Sequence, residues 1–155
     1  MAYNKILTIQ DISCVGQCSL TVALPILSAC GQETCILPSA VLSTHTGGFK
    51  GFTFRDLTDD LPLIQQHWLK ENIKFNAIYT GYLGSTKQID MVKNIMKTLG
   101  QPSCKNIVDP STCLSWCRFT YIQTFFNSDT TILHNLQSKL PYLIRSIIEF
   151  RDIDS

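Results

Sequence analysis

Eight glycines punctuate this sequence, and none follows Gly100. The residues able to do chemistry stand close to them. Gln10-Asp11 precede Gly16, Ser43-Thr44-His45-Thr46 runs into Gly47-Gly48, Thr80 precedes Gly81-Tyr82, and Asp109 stands before Pro110. Backbone that must turn sharply or approach a phosphate closely favours glycine, which has no Cβ. Hydroxyls, an imidazole and carboxylates beside such turns suit the holding of a polar small molecule and the handling of a phosphate. The glycine-free stretch after Gly100 is, by the same argument, a poor place for a nucleotide cradle.

These clusters need regular elements to hold them. Lys5 to Ile9 reads as a strand, followed by a polar turn around Gly16 and an apolar helix from Leu20 to Cys30. Ser19 is its expected N-cap and Gly31 its C′ residue, while Pro25 predicts a kink or a late start. Glu33 to Leu37 is a second strand, and Ser43 to Phe52 a loop of hydroxyls, glycine and aromatics of the kind that covers a ligand. Asp59 or Asp60 before Pro62 starts a second helix, with Leu61, Ile64, Trp68 and Leu69 at near-helical spacing before Asn72. Asn76 to Thr80 is a third strand. Ser85 and Gln88 form a capping-box pattern for a helix with apolar Ile89, Val92, Met96 and Leu99, which Gly100 stops. Lys105 to Asp109 completes a β-α-β-α-β-α-β order, which implies parallel strands with crossover helices. In such sheets ligands sit beyond the carboxyl ends of the strands, where the four polar clusters fall.

Composition narrows the class. A chain of 155 residues, 45% hydrophobic and 16% charged, is globular, and 13 basic against 12 acidic side chains give a net charge of +1. Nothing in that balance suits nucleic acid or an anionic membrane, so a small-molecule partner is expected. The first residues run directly into the first strand, too short for a secretory segment, and a cytoplasmic location is expected. Seven cysteines, an odd number, predict reduced thiols that mostly serve as small core residues. Cys14-x3-Cys18 and Cys113-x3-Cys117 lack the spacing and the histidine pair of common zinc sites, and no metal site is expected.

Ile9-Gln10 with Gly16 and Ser19, Ser43-Thr44-His45-Thr46, Gly81-Tyr82-Leu83-Gly84-Ser85 and Val108-Asp109-Pro110 together resemble the pyridoxal/pyridoxamine kinases of the ribokinase-like superfamily. The resemblance runs over residues 5–110 and implies the N-terminal part of a ribokinase-like α/β fold, a parallel sheet with flanking helices. It also implies transfer of the ATP γ-phosphoryl group, with Mg2+, to the primary hydroxyl of a B6 vitamer, and a homodimer. By family position Asp11 contacts the pyridine ring where many members have serine. Thr46 meets a ring substituent with His45 beside it, Tyr82 lines the pocket, and Asp109 lies near the ATP phosphates and metal.

The resemblance stops at Pro110. The family's catalytic aspartate belongs to a Gly-x-Gly-Asp loop, and this sequence contains none. The expectation is therefore a domain portion at 1–110 and a non-homologous tail at 111–155, such as a reading-frame shift would produce, with phosphoryl transfer impaired. Two alternatives stand beside it: a non-catalytic B6-binding fragment, and a partner-binding α/β module. In the tail, Leu133, Leu136, Leu140, Leu143, Ile144, Ile147 and Ile148 fall on one helical face, against which Pro141 argues. The site residues also have plainer readings: Asp11 as a loop cap, Asp109 as a turn residue before proline, His45 as a loop histidine and Tyr82 as ordinary packing.

Overall fold

The computed structural model describes residues 4–108; the readings of Asp109 and of the tail at 111–155 lie outside the described residues. The elements are β1 (Lys5–Ser13), α1 (Leu20–Ala29), β2 (Glu33–Leu42), β3 (Phe54–Asp56), α2 (Leu61–Lys70), β4 (Phe75–Thr80), α3 (Thr86–Leu99) and β5 (Gly100–Val108). They form an α/β architecture around one five-stranded sheet of order β3-β2-β1-β4-β5. β2, β1, β4 and β5 are mutually parallel, and β3 is antiparallel to β2.

Two differences from the sequence reading matter for the strand ends. β1 runs on to Ser13 and β2 to Leu42, both past the expected apolar stretch. β2 continues through Pro38 because the proline pairs with Gln10 just before the register slips: Gln10 faces Pro38 and Ile12 faces Val41. Two β2 residues, Ser39 and Ala40, thus oppose Asp11 alone, a bulge where a missing N–H is tolerated. The second difference is β3, an exposed three-residue strand whose pattern is too short to read, formed by pairing with the extended end of β2 at residues 40–42.

The helix ends follow backbone chemistry more than side-chain capping. α1 begins at Leu20 despite Pro25, so the late start is not realised. Ser19 occupies its N-cap with φ 51° but its hydroxyl makes no cap; Thr21 Oγ1 instead accepts from the Cys18 N–H at 3.1 Å and is aimed at the Cys18 carbonyl at 2.7 Å. At the other end Gln32 N–H reaches the Leu27 carbonyl and Gly31 N–H the Ser28 carbonyl, with Gly31 at φ 74°, a Schellman closure. α2 closes the same way with Asn72 at φ 55°, Ile73 N–H bonding the Trp68 carbonyl. The expected capping box of α3 does not form. Ser85 Oγ is buried without a partner among the described residues, and the Gln88 side chain is engaged elsewhere.

The core lies between the sheet and the pair α2–α3. Leu7, Ile9, Leu37, Phe75 and Ile78 from the strands meet Leu61 of α2 and Ile89, Val92, Ile95 and Leu99 of α3. Ile95 replaces the expected Met96 as the fully buried residue of that turn, and Leu69 of α2 is exposed. None of the five described cysteines is buried: Cys14 and Cys30 are exposed, and Cys18, Cys35 and Cys104 half-buried. Cys35 and Cys104 pack against the margin of the core, so the reading of the thiols as core residues is corrected for Cys14, Cys18 and Cys30. Burial, with Glu33 nearby, still pushes the Cys35 thiol up from its ordinary range, and burial does the same for Cys104.

The segment after β3 is tied to the helix layer. Asp56 Oδ1 accepts from the Thr58 N–H at 2.8 Å and the Thr58 hydroxyl at 2.5 Å, and lies 3.2 Å from Gln88 Nε2. The Thr58 hydroxyl is the chief cause that holds the Asp56 carboxyl below its ordinary value.

Two outcomes follow. Phe75, fully buried and edge-to-face with Trp68 at 5.6 Å, anchors the core, so Phe75→Ala should cost about 3–5 kcal/mol in a urea titration followed by circular dichroism. Asp56 has a depressed folded value, so its contribution to stability is fully present above the unfolded carboxylate value of about 3.9 and is lost as pH falls through the folded value below it. Melting curves of parent and Asp56→Asn should differ at neutral pH and converge under acid; a gap that persists below that window contradicts the assignment.

Candidate functional site

β1 supplies the floor of the carboxyl-end cluster. As the central strand it is covered on both faces, so its last polar residues are buried: Gln10, Asp11 and Ser13 are all at most 5% exposed. Each is satisfied locally. Gln10 Nε2 donates to Thr8 Oγ1 at 2.9 Å, and the Ser13 hydroxyl donates to Asp11 Oδ2 at 3.1 Å. Asp11 is therefore a buried strand residue at the bulge, not a loop cap.

The loop after β1 meets the loop after β2. His45 N–H bonds the Val15 carbonyl at 3.0 Å, and Cys14 N–H bonds the Leu42 carbonyl at 2.9 Å. Gly16, at φ 102°, lies against the imidazole so closely that a Cβ there would sit 1.9 Å from His45 Cδ2. No other residue type fits under that ring. His45 Nδ1 accepts the Gly47 N–H at 3.0 Å, which leaves the proton of the neutral ring on Nε2 as a donor. Phe49 packs edge-on against the same ring, with centroids 5.0 Å apart.

The loop after β4 closes the third side. Gly81 N–H bonds the Ile9 carbonyl at 3.1 Å, and a Cβ on Gly81 would lie 2.7 Å from Gln10 Oε1. The Ser39 hydroxyl, at the β2 bulge, donates to the Tyr82 carbonyl at 3.0 Å. Tyr82 is half-buried and Thr46 is exposed on its loop.

The structure thus places Asp11, His45 and Tyr82 on three adjacent strand ends, with direct bonds from the His45 loop to the β1 loop and from β2 to Tyr82. Asp109 lies outside the described residues. Sequence reasoning missed three contributors. Ser39 sits inside a strand read as ending at Leu37; Gln88 was assigned to its own helix; and Thr44 Oγ1 is buried without a hydrogen-bond partner among the described residues. A serine beside an in-strand proline was the available signal for the first; Thr44 stood within the Ser43-Thr44-His45-Thr46 run without a role of its own, and the pattern around Gln88 pointed only to a local cap.

Among the described residues no group of three or more histidine, cysteine or carboxylate side chains gathers to hold a metal ion. A surface depression of about 570 Å3 lies at the opposite end of the sheet, by the start of β5, with Lys74, Met96 and Cys104 among its lining. It is an open groove and shares no residue with the strand-end cluster, where the polar groups converge.

No family model matches the chain, and no curated protein matches it. Solved structures do. A protein named as a phosphomethylpyrimidine kinase from Bacteroides thetaiotaomicron, crystallised with pyridoxal, is 46% identical over 74% of this chain and 40% of its own, with a TM-score of 0.69. The pyridoxal kinase of Lactobacillus plantarum is 31% identical over 70% of this chain and 38% of its own, with a TM-score of 0.66. The pyridoxal kinase of Staphylococcus aureus, solved with AMP-PCP and pyridoxal, shares the fold at 17% identity and a TM-score of 0.65. The chain spans about two fifths of the length of the first two. By sequence and by fold, the described residues are related to the pyridoxal and phosphomethylpyrimidine kinases of the ribokinase-like superfamily.

Proposed function

We propose that residues 4–108 form the vitamer-holding portion of an ATP-dependent kinase that phosphorylates the primary hydroxyl of pyridoxal or pyridoxamine. We further propose that the 155-residue chain alone binds the vitamer without transferring phosphate. The observation that carries this reading is the convergence of a buried carboxylate, Asp11, a fixed imidazole donor, His45, and the Tyr82 loop at three adjacent strand ends.

In this reading Asp11 accepts a hydrogen bond from a ring N–H or an amine of the vitamer. His45 Nε2–H donates to a ring oxygen, Thr46 reaches a second substituent, and Tyr82 lines the ring's face. Thr44 Oγ1, buried and unpartnered among the described residues, supplies a further hydroxyl for a polar ligand, since a buried hydroxyl left unpaired is costly. ATP would supply the phosphoryl group and Mg2+ would offset its charge, with Asp109 nearest to both; among the described residues no cluster of side chains gathers to hold the ion. A pocket without a Gly-x-Gly-Asp loop lacks the amide cradle and the base that the transfer requires. A cytoplasmic protein that pairs as a homodimer is the corresponding biological setting; among the described residues no helix is long and apolar enough to cross a membrane.

A partner-binding module is the second reading. The observation that favours it is α1, apolar along most of its length yet with Leu20 its one buried residue.

Isothermal titration of the full chain with pyridoxal and pyridoxamine should show saturable binding, while radiolabelled ATP yields no phosphorylated product above background. Turnover would refute the non-catalytic part, and no binding of either vitamer would favour the module. Gly16→Ala tests the site more locally. The new Cβ would drive His45 out of place at a backbone angle that alanine disfavours, so vitamer affinity should fall at least about tenfold with the core still folded by circular dichroism.

A further inference from the structure

Gln88, at the third position of α3, is 0% exposed and makes hydrogen bonds to three segments distant from one another in sequence. Its Oε1 accepts the Gly84 N–H at 2.8 Å, on the loop that carries Tyr82. Its Nε2 lies 3.0 Å from the Ser39 carbonyl at the β2 bulge, 2.9 Å from Thr58 Oγ1 and 3.2 Å from Asp56 Oδ1. An amide nitrogen has two protons. One goes to Ser39, and the other lies between Thr58 and Asp56.

The directions are mutually consistent. Thr58 spends its hydroxyl proton on Asp56 and so has lone pairs to accept from Gln88. The carboxylate at the end makes the strap side of this network charge-assisted. Ser39 extends it, because its hydroxyl donates to the Tyr82 carbonyl.

The two loops held this way are the walls of the candidate cleft. Residues 43–58 form a strap fixed at one end by the His45 N–H to Val15 carbonyl bond. At its other end β3 pairs with β2 at residues 40–42 and Ser43 and Thr53 bond each other, which fixes the backbone. Gln88, the Leu57 N–H to Ser39 carbonyl bond and the approach of Phe54 to Gly84, where a Cβ would lie 3.2 Å from Phe54 Cζ, join that end to the Tyr82 loop and α3. Between those ends Thr46, Phe49, Lys50 and Phe52 are exposed. An apolar side chain at this turn of α3 would fill the same space, and an ordinary capping box would spend the amide on its own helix. Here the amide is spent on the strap and on the Tyr82 loop.

We propose that Gln88 is a positioning residue for the vitamer: its buried carboxamide latches the 43–58 strap to the Tyr82 loop, so that the strap bearing His45 and Thr46 and the wall bearing Tyr82 are set as one unit. This rests on the vitamer-binding reading above. Gln88 touches no ligand itself and acts through the segments it joins.

The test uses the full chain and Gln88→Glu, which keeps the shape, removes both donors and sets a carboxylate against Asp56. Lys50 and Arg55 are exposed in the strap, so brief trypsin digestion reads strap opening directly. The variant should be cut after Lys50 and Arg55 at least about tenfold faster and bind pyridoxal about tenfold more weakly, about 1.4 kcal/mol, with the helical signal retained. Pyridoxal should slow strap cutting in the parent and not in the variant, a coupling that a purely structural role would not produce. Should Gln88→Glu fail to fold, the double variant Asp56→Ala with Thr58→Val removes both strap acceptors of the latch and leaves the bonds to Ser39 and Gly84; the same two readouts apply. A variant with parental cutting and parental affinity overturns the proposal. A parent that binds no vitamer overturns the vitamer reading instead, and the cutting rates then decide separately whether Gln88 holds the strap.

Discussion

The structure depends on the position of β1 between two parallel neighbours. A central strand is covered on both faces, so whatever polar residues it carries at its carboxyl end are taken out of water and must find partners. Gln10 finds Thr8, and Ser13 finds Asp11, each two residues along the same strand. The Gln10 carboxamide also lies against position 81, where a Cβ would come 2.7 Å from its Oε1, so glycine there leaves that side chain in place. The polar floor of the cluster and the glycine that follows β4 are two expressions of one constraint.

The bulge in β2 turns that floor into a junction. With two residues opposite Asp11, Ser39 is re-aimed so that its hydroxyl reaches the Tyr82 backbone and its carbonyl reaches Gln88. The same carbonyl also accepts the Leu57 N–H at 3.2 Å, so one oxygen serves the chain after β3 and the helix at once. The slip in register gives up a little local pairing and gains links between β2, the β4 loop and α3. It also explains why a proline is tolerated within an inner strand.

Much of this was legible in the sequence, and the failures have physical reasons. The strand, helix and loop order, the Gly31 and Asn72 turns and the core face of α3 follow from periodicity and backbone chemistry, which are local. The extensions of β1 and β2 did not, because Gln10 to Ser13 and Ser39 carry polar side chains whose burial is decided by neighbouring strands. β3 exists only because β2 offers it an edge. At the site, the order of elements put Asp11, His45 and Tyr82 at strand ends, where the structure has them, whereas the role of Gln88 was misread: a Ser-x-x-Gln pattern is a local signal, and the partners that captured the amide lie 30 and 49 residues away.

One junction has a bearing on how this segment can change. α3 ends at Leu99 and β5 begins at Gly100, so no loop separates them, and a Cβ on that glycine would lie 2.6 Å from the Met96 carbonyl. Any side chain at position 100 would strike the last turn of the helix, so this corner is reserved for glycine. The slack lies just beyond it: the ladder with β4 slips between Phe75–Gly100 and Ala77–Lys105, leaving residues 101–104 as a bulge. A change of length is absorbed there more easily than inside α3, where it would rotate the apolar face out of the interior.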